Sequence, residues 1–103
     1  MRNYIPARKH WLELYTKLPY FYPIVKVPIE NIKIDKSLLS YANEVSKSDV
    51  LYMLLNFDRE AWEPILINKD YYLLDGQHRL EVARQTGLSY IDAAIDNTNM
   101  ERD

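Results

Sequence analysis

Leu74-Asp75-Gly76-Gln77-His78-Arg79-Leu80-Glu81-Val82-Ala83-Arg84-Gln85-Thr86-Gly87 contains both glycines of this 103-residue chain, one near each end of a helix-like run. Gly87 suits a helix stop, because helices commonly end on a residue of positive φ and glycine takes that conformation without steric cost. Gly76 falls in the expected first turn of the helix, where alanine would be better by roughly 1 kcal/mol. Something other than helix propensity must therefore favour glycine there.

Directly before this run, Tyr71-Tyr72-Leu73-Leu74 reads as a short strand. The polar turn Asn68-Lys69-Asp70 joins it to a second apolar stretch, Pro64-Ile65-Leu66-Ile67-Asn68. Beyond Gly87, Tyr90-Ile91-Asp92-Ala93-Ala94-Ile95 reads as a final strand and leads to a polar tail. Upstream, Ser48-Asp49 is a good helix start, and Val50, Leu51, Leu54 and Phe57 follow at helical spacing as a core-facing stripe. Tyr20 to Pro28 is aromatic, β-branched and proline-bearing, which predicts an extended segment at a sheet edge. Ile29, Ile32 and Ile34 continue that edge, and Asp35 to Lys47 forms a polar connection with some helix. Pro6 to Leu18 predicts a first helix with Ala7, Trp11, Leu14, Tyr15 and Leu18 on one face, ended by Pro19. The order is helix, strand, helix, strand, strand, helix, strand, which describes a small single α+β domain with a mixed sheet and flanking helices.

Composition narrows the functional classes. With 48% hydrophobic and 13% aromatic residues, one modest core can form and a second domain has no room. Lys and Arg number 13 against 15 Asp and Glu, a net charge of -2, so the broad basic face of a strong non-specific nucleic-acid binder is missing. There is no cysteine, which excludes disulfides, thiolate metal sites and cysteine nucleophiles. No resident metal site is expected. The amino terminus has no signal-peptide pattern and no apolar run reaches membrane-spanning length, so the chain is read as cytoplasmic with no membrane partner.

A strand that passes through Asp75-Gly76 into a helix has a chemical use. The first turn of a helix leaves backbone N–H groups unpaired and carries the positive end of the helix dipole, so an anion is stabilised there twice. With no Cβ at Gly76, a phosphate can approach the amides of Gln77 and His78, while His78 and Arg79 add side-chain donors. A plainer account uses the same amides: Asp75 as N-cap, its carboxylate accepting from Gln77 or His78. Both accounts fit the sequence.

The segment Asp75-Gly76-Gln77-His78-Arg79-Leu80-Glu81-Val82-Ala83, after Pro64-Ile65-Leu66-Ile67 and before a further strand, resembles the signature of the ParB/sulfiredoxin-like superfamily. Val27-Pro28-Ile29-Glu30-Asn31-Ile32 is similar to the first strand of such domains, and the Ser48 to Phe57 helix sits where they carry one. The resemblance implies a ParB/sulfiredoxin-like domain over residues 25–97, an N-terminal helical extension over 1–24 and a polar tail over 98–103. In that superfamily the Gly-x-x-Arg turn binds nucleotide phosphates, which carries over to Gly76, Gln77, His78 and Arg79. Lys47, if the fold brings the two helix starts together, joins them; otherwise it is a solvated surface charge.

What the turn does with a nucleotide differs between branches. Sulfiredoxins have a cysteine before the His-Arg pair, and Gln77 stands there, so that activity is excluded. The chromosome-segregation proteins bind CTP and read DNA with a following helix-turn-helix domain, which is not expected here. Free-serine kinases share the Trp-x-Pro lead-in, present as Trp62-Glu63-Pro64, but use a glutamate that the loop Asp35-Lys36-Ser37-Leu38-Leu39-Ser40 lacks. The resemblance implies ATP, ADP or CTP with Mg2+ as cofactor, and Asp75 and His78 as the catalytic candidates of a phosphotransferase, NTPase or nuclease. The alternative is a non-catalytic regulatory module with DNA or a protein as its partner, of the kind encoded by mobile elements or phages.

Overall fold

A computed structural model describes residues 4–17, 22–39, 46–58 and 61–96. In chain order these form α1 (Lys9–Lys17), β1 (Ile24–Pro28), 3-10 turns at Ile29–Asn31 and Lys36–Leu38, α2 (Lys47–Leu55), β2 (Ile65–Asn68), β3 (Leu73–Asp75), α3 (Gln77–Gln85) and β4 (Tyr90–Asp96). The expected helix end at Leu18 and Pro19, the strand start at Tyr20, the connection at 40–45 and the tail at 98–103 lie outside the described residues.

The four strands lie in the order β1-β4-β2-β3. β4 runs antiparallel to β1 and parallel to β2, and β2 runs antiparallel to β3, so the sheet is mixed. β1 is an edge strand, where the prolines at 23 and 28 are tolerated. β4 is interior and carries Ala93 and Ala94, both buried. Successive strand side chains point to opposite faces, so these two alanines mean that β4 is covered on both sides.

On one face, Val27, Ile65, Ile67, Leu73, Ile91 and Ala93 of the sheet pack with Leu80 and Ala83 of α3 and Val50 of α2. Each large aliphatic side chain buried in this way contributes roughly 1.5–3 kcal/mol. Asp92 points to the other face and is only 6% exposed. It accepts hydrogen bonds from the Tyr4 hydroxyl and from the Ala7 N–H at 2.8 Å. The Trp62 indole N–H donates to the Ile5 carbonyl at 3.0 Å, so the residues before α1 are tied twice to β4 and once to the connection before β2.

Four local expectations are corrected. Ile29 and Ile32 are buried, but the chain has left the β1 edge by then: Lys33 bridges Tyr72 in parallel at the β3 side of the sheet, and Ile34 is exposed. The stripe on α1 does not form a core face, since the helix buries no residue, Leu14 is 47% exposed and Ala7 precedes the helix. The half-buried residues of α1 are Trp11, Leu12 and Tyr15, and Tyr15 reaches inward through its hydroxyl. α2 starts two residues earlier than Ser48-Asp49 suggests, because Ser46 is its N-cap and accepts from the Asp49 N–H at 3.2 Å. Of its predicted stripe only Val50 is buried, Leu54 is half-buried, Leu51 is 55% exposed, and Phe57 lies past the helix end with its ring centroid 5.3 Å from that of Trp62.

The fourth correction concerns the turn itself. Asp75 is the last residue of β3, and the N-cap of α3 is Gly76, at φ 105 and with no side-chain cap bond. Gly76 therefore precedes the first helical turn. A Cβ there would meet Ile65 Cγ2 at 2.8 Å and Arg79 Nη2 at 3.0 Å. Glycine is needed both for the left-handed backbone and for the close approach of β2 and Arg79. Gly87, at φ 79, ends α3 as expected, with Gly87 N–H donating to the Arg84 carbonyl and Leu88 N–H to the Ala83 carbonyl. That pair of bonds is the Schellman pattern.

Candidate functional site

β2 and β3 form a hairpin whose turn is set by Asn68. Its side-chain oxygen accepts from the N–H groups of Asp70 and Tyr72, at 2.8 and 3.0 Å, and Tyr71 takes a positive φ of 71°. The register then shifts between Leu66 and Ile67, which leaves Leu74 as an extra residue on β3. Such a bulge re-aims the residues beside it. Asp75 and Gly76 follow at once, so the strand delivers the chain to the start of α3 through a bulge and a left-handed residue in succession.

The starts of α2 and α3 meet. The Ser46 N–H donates to His78 Nε2 at 3.2 Å, which joins the N-cap of α2 to the first turn of α3. In this bond Nε2 is the acceptor, which orients the imidazole toward the α2 cap. Asp49 Oδ2 lies 3.8 Å from the same nitrogen. Two helix N-termini, each carrying partial positive charge, thus converge beside His78. Lys47, the first residue of α2, is exposed and lines a groove with Val50, Leu51, Leu54, Glu81 and Gln85. Its backbone is beside the turn, and this groove continues down α3.

Arg79 is turned the other way. Its side chain is 20% exposed, Nη2 donates to the Pro64 carbonyl at 3.3 Å, and Nη1 lies 3.8 Å from Glu63 Oε1. Nε is buried without a hydrogen-bond partner. The other Glu63 oxygen, Oε2, accepts from the Tyr15 hydroxyl at 2.7 Å. Burial, the Glu63 hydrogen bond and the Glu63 charge hold the Tyr15 hydroxyl well above its ordinary value, with a further rise from Asp75 and an opposing pull from Arg79. Tyr15, Glu63, Asp75 and Arg79 therefore share one electrostatic neighbourhood.

Of the residues singled out from sequence, Gly76, Gln77, His78 and Arg79 are consecutive at the start of α3, Asp75 immediately precedes them, and Lys47 is close through Ser46. Ser46, Glu63 and Tyr15 were missed. Glu63 had a signal, since the residue before a proline is held extended and Trp62 and Pro64 on either side of it are buried. Nothing in the sequence pairs Tyr15 with it across 48 positions.

The fold matches solved structures of two kinds. The ParB protein of Caulobacter crescentus, crystallised with CTP-γ-S, matches with a TM-score of 0.62 and 15% identity over 76% of this chain and 46% of that one. A pNOB8-like ParB N-domain matches at 0.60 and 20% over 80% of this chain and 32% of that one. Sulfiredoxin from Arabidopsis thaliana matches at 0.57 and 24% over 73% of this chain and 85% of that one. The chain spans about a third to a half of the length of these ParB chains. No protein-family model and no curated protein sequence matches it. The fold is the ParB/sulfiredoxin-like fold. Among the described residues no helix is long and apolar enough to cross a membrane.

Proposed function

Taking the ParB/sulfiredoxin-like fold as premise, we propose that this domain binds a nucleotide through its phosphates at the junction of the α2 and α3 starts. The observation that carries the reading is the convergence of two helix N-termini, α2 capped by Ser46 and α3 opened by Gly76 with no side-chain cap, linked by the Ser46–His78 bond, with Arg79 one residue further along α3. Backbone N–H groups and the helix dipoles favour an anion there, and a guanidinium with a buried, unpartnered Nε gains from a new acceptor. The ParB relative crystallised with a CTP analogue supports the same ligand class. Gln77 and His78 would supply main-chain donors, Arg79 and Lys47 positive charge, and Asp75 a carboxylate suited to a phosphate-bound Mg2+.

The geometry favours binding over turnover. His78 would have to release the Ser46 N–H before its Nε2 could take a proton, and Arg79 is engaged by Glu63 and the Pro64 carbonyl. A regulatory module that senses a nucleotide, with DNA or a protein downstream, fits these engagements better than a phosphotransferase or nuclease acting through Asp75 and His78.

Calorimetry with ATP, ADP and CTP in Mg2+ tests the binding. The wild type should bind at least one of them, and Arg79→Ala should weaken it about 10- to 100-fold, the loss expected for charge-assisted hydrogen bonds. No binding to the wild type rejects the phosphate site, and equal binding by both proteins rejects its placement. Nucleotide hydrolysis or plasmid nicking that is lost in Asp75→Ala and His78→Ala would reverse the preference for a non-catalytic module.

A further inference from the structure

We infer that Glu63, held by Tyr15, is an internal counter-anion for Arg79 and sets how tightly an outside anion can engage that guanidinium. The inference rests on the phosphate-binding reading and adds its regulation. Glu63 is placed by its neighbours: Trp62 before it is buried and hydrogen-bonded to Ile5, and Pro64 after it is buried and leads into β2. Its two oxygens are divided between two partners. Oε2 accepts from the Tyr15 hydroxyl at 2.7 Å, and Oε1 faces Arg79 Nη1 at 3.8 Å.

Arg79 is incompletely satisfied in this pose. Five N–H donors are available to a guanidinium. Here Nη2 makes a long bond of 3.3 Å to a carbonyl, Nη1 is at ion-pair distance only, and Nε is buried without a partner. The group packs under the turn, so close to Gly76 that a Cβ would lie 3.0 Å from Nη2. An anion at the start of α3 therefore meets a guanidinium already turned toward a carboxylate of the anion's own sign. To be engaged by the anion, Arg79 must lose part of its hold on Glu63, and the Glu63 charge repels the newcomer while it stays.

Tyr15 makes this arrangement a linkage between α1 and the turn. Its hydroxyl is the donor that keeps the Glu63 carboxylate in place, and α1 is otherwise held without a buried residue of its own. A partner or modification that displaces α1 would release Glu63, and with it Arg79. The anion affinity of the turn is thus set from a helix that contributes no group to the phosphate cradle.

The test uses inorganic tripolyphosphate as the probe, measured by calorimetry on wild type, Glu63→Gln, Tyr15→Phe, and Glu63→Gln combined with Arg79→Ala. The side-chain 15Nε resonance of Arg79 is followed in the ligand-free proteins. Glu63→Gln keeps the shape and removes the charge, and should bind tripolyphosphate about 3- to 10-fold tighter than wild type. Tyr15→Phe should change affinity in the same direction by a smaller factor, and the gain from Glu63→Gln should shrink when Arg79 is also replaced. The Arg79 Nε signal should shift in both single variants. Equal or weaker binding by folded Glu63→Gln and Tyr15→Phe overturns the inference, as does an unchanged Arg79 signal. If tripolyphosphate binds none of the proteins, the phosphate-binding reading itself fails, and a shifted Arg79 signal then shows that the Glu63 pairing was real but sets no affinity.

Discussion

Ser46 and His78, 32 positions apart, are joined by a 3.2 Å hydrogen bond from the main-chain N–H of one to the imidazole Nε2 of the other. The bond couples the cap of α2 to the first turn of α3, and it holds only while the ring has a free lone pair. Replacing the ring leaves a part-buried N–H without its acceptor. His78→Ala should cost about 1 kcal/mol, or roughly 4–8 °C in melting temperature for a domain of this size. Hydrogen exchange should quicken at the Ser46 amide beyond any general loss of stability. An unchanged Ser46 exchange rate would mean that the bond contributes nothing.

The two glycines should respond differently to alanine. At Gly87 a Cβ meets nothing within 4 Å, so only the positive φ of 79° is penalised and about 1 kcal/mol should be lost. At Gly76 the φ of 105° is joined by a 2.8 Å approach to Ile65 Cγ2, and the loss should reach about 2–4 kcal/mol. Urea midpoints of the two variants give the comparison. A milder effect at Gly76 than at Gly87 would refute the packing account.

Asp92 is a buried carboxylate with two donors, the Tyr4 hydroxyl and the Ala7 N–H. Asp92→Ala strands both and should cost about 2–3 kcal/mol, whereas Asp92→Asn keeps an acceptor and should cost less. The loosened segment is the one before α1, so limited proteolysis should cut first between Tyr4 and Arg8 in the alanine variant. Cleavage elsewhere would place the role of Asp92 in the sheet rather than in this tether.

Alkaline stability follows from two tyrosines. Tyr15 and Tyr4 are both held above their ordinary value of 10.0, first by burial and then by hydrogen bonds to Glu63 and Asp92. Above that value the unfolded chain gives up these protons while the folded chain keeps them, so stability must fall as pH rises. The loss should begin near pH 10 and be complete only above the folded-state values. A Tyr4→Phe/Tyr15→Phe double variant should lose less stability than wild type between pH about 9 and 11, read from urea midpoints. Parallel decline of the two proteins would show that neither hydroxyl is linked to folding.

The strand and helix order could be read because its signals are local. Asn68-Lys69-Asp70 makes a turn by side-chain bonding to its own backbone, and Gly87 stops a helix by its own conformation. The positions of His78 and Arg79 in the first turn of α3 followed from the same local pattern. What escaped depends on neighbours distant in sequence. Gly76 does not join the first turn because its φ is positive and Ile65 packs close against it, and the α1 stripe misled because Tyr15 turns inward through a hydroxyl to Glu63 while Leu14 stays 47% exposed. Leu51 keeps helical spacing yet is 55% exposed, since spacing defines a face without saying what lies opposite.

The interior position of β4 dictates an order of assembly. Among the described residues β1 has no neighbour in the sheet except β4, and β2 can pair only with β3 until β4 arrives. Before Tyr90–Asp96 emerges during synthesis, the chain can form of its sheet only the β2–β3 hairpin and the single Lys33–Tyr72 bridge beside it, with α3, and a hairpin with so little sheet around it is marginal in water. The burial of Val27 and Ile65 is completed by one late insertion between them, with sequence separations that slow the search. Folding of this domain should therefore be a single cooperative event triggered by its last strand.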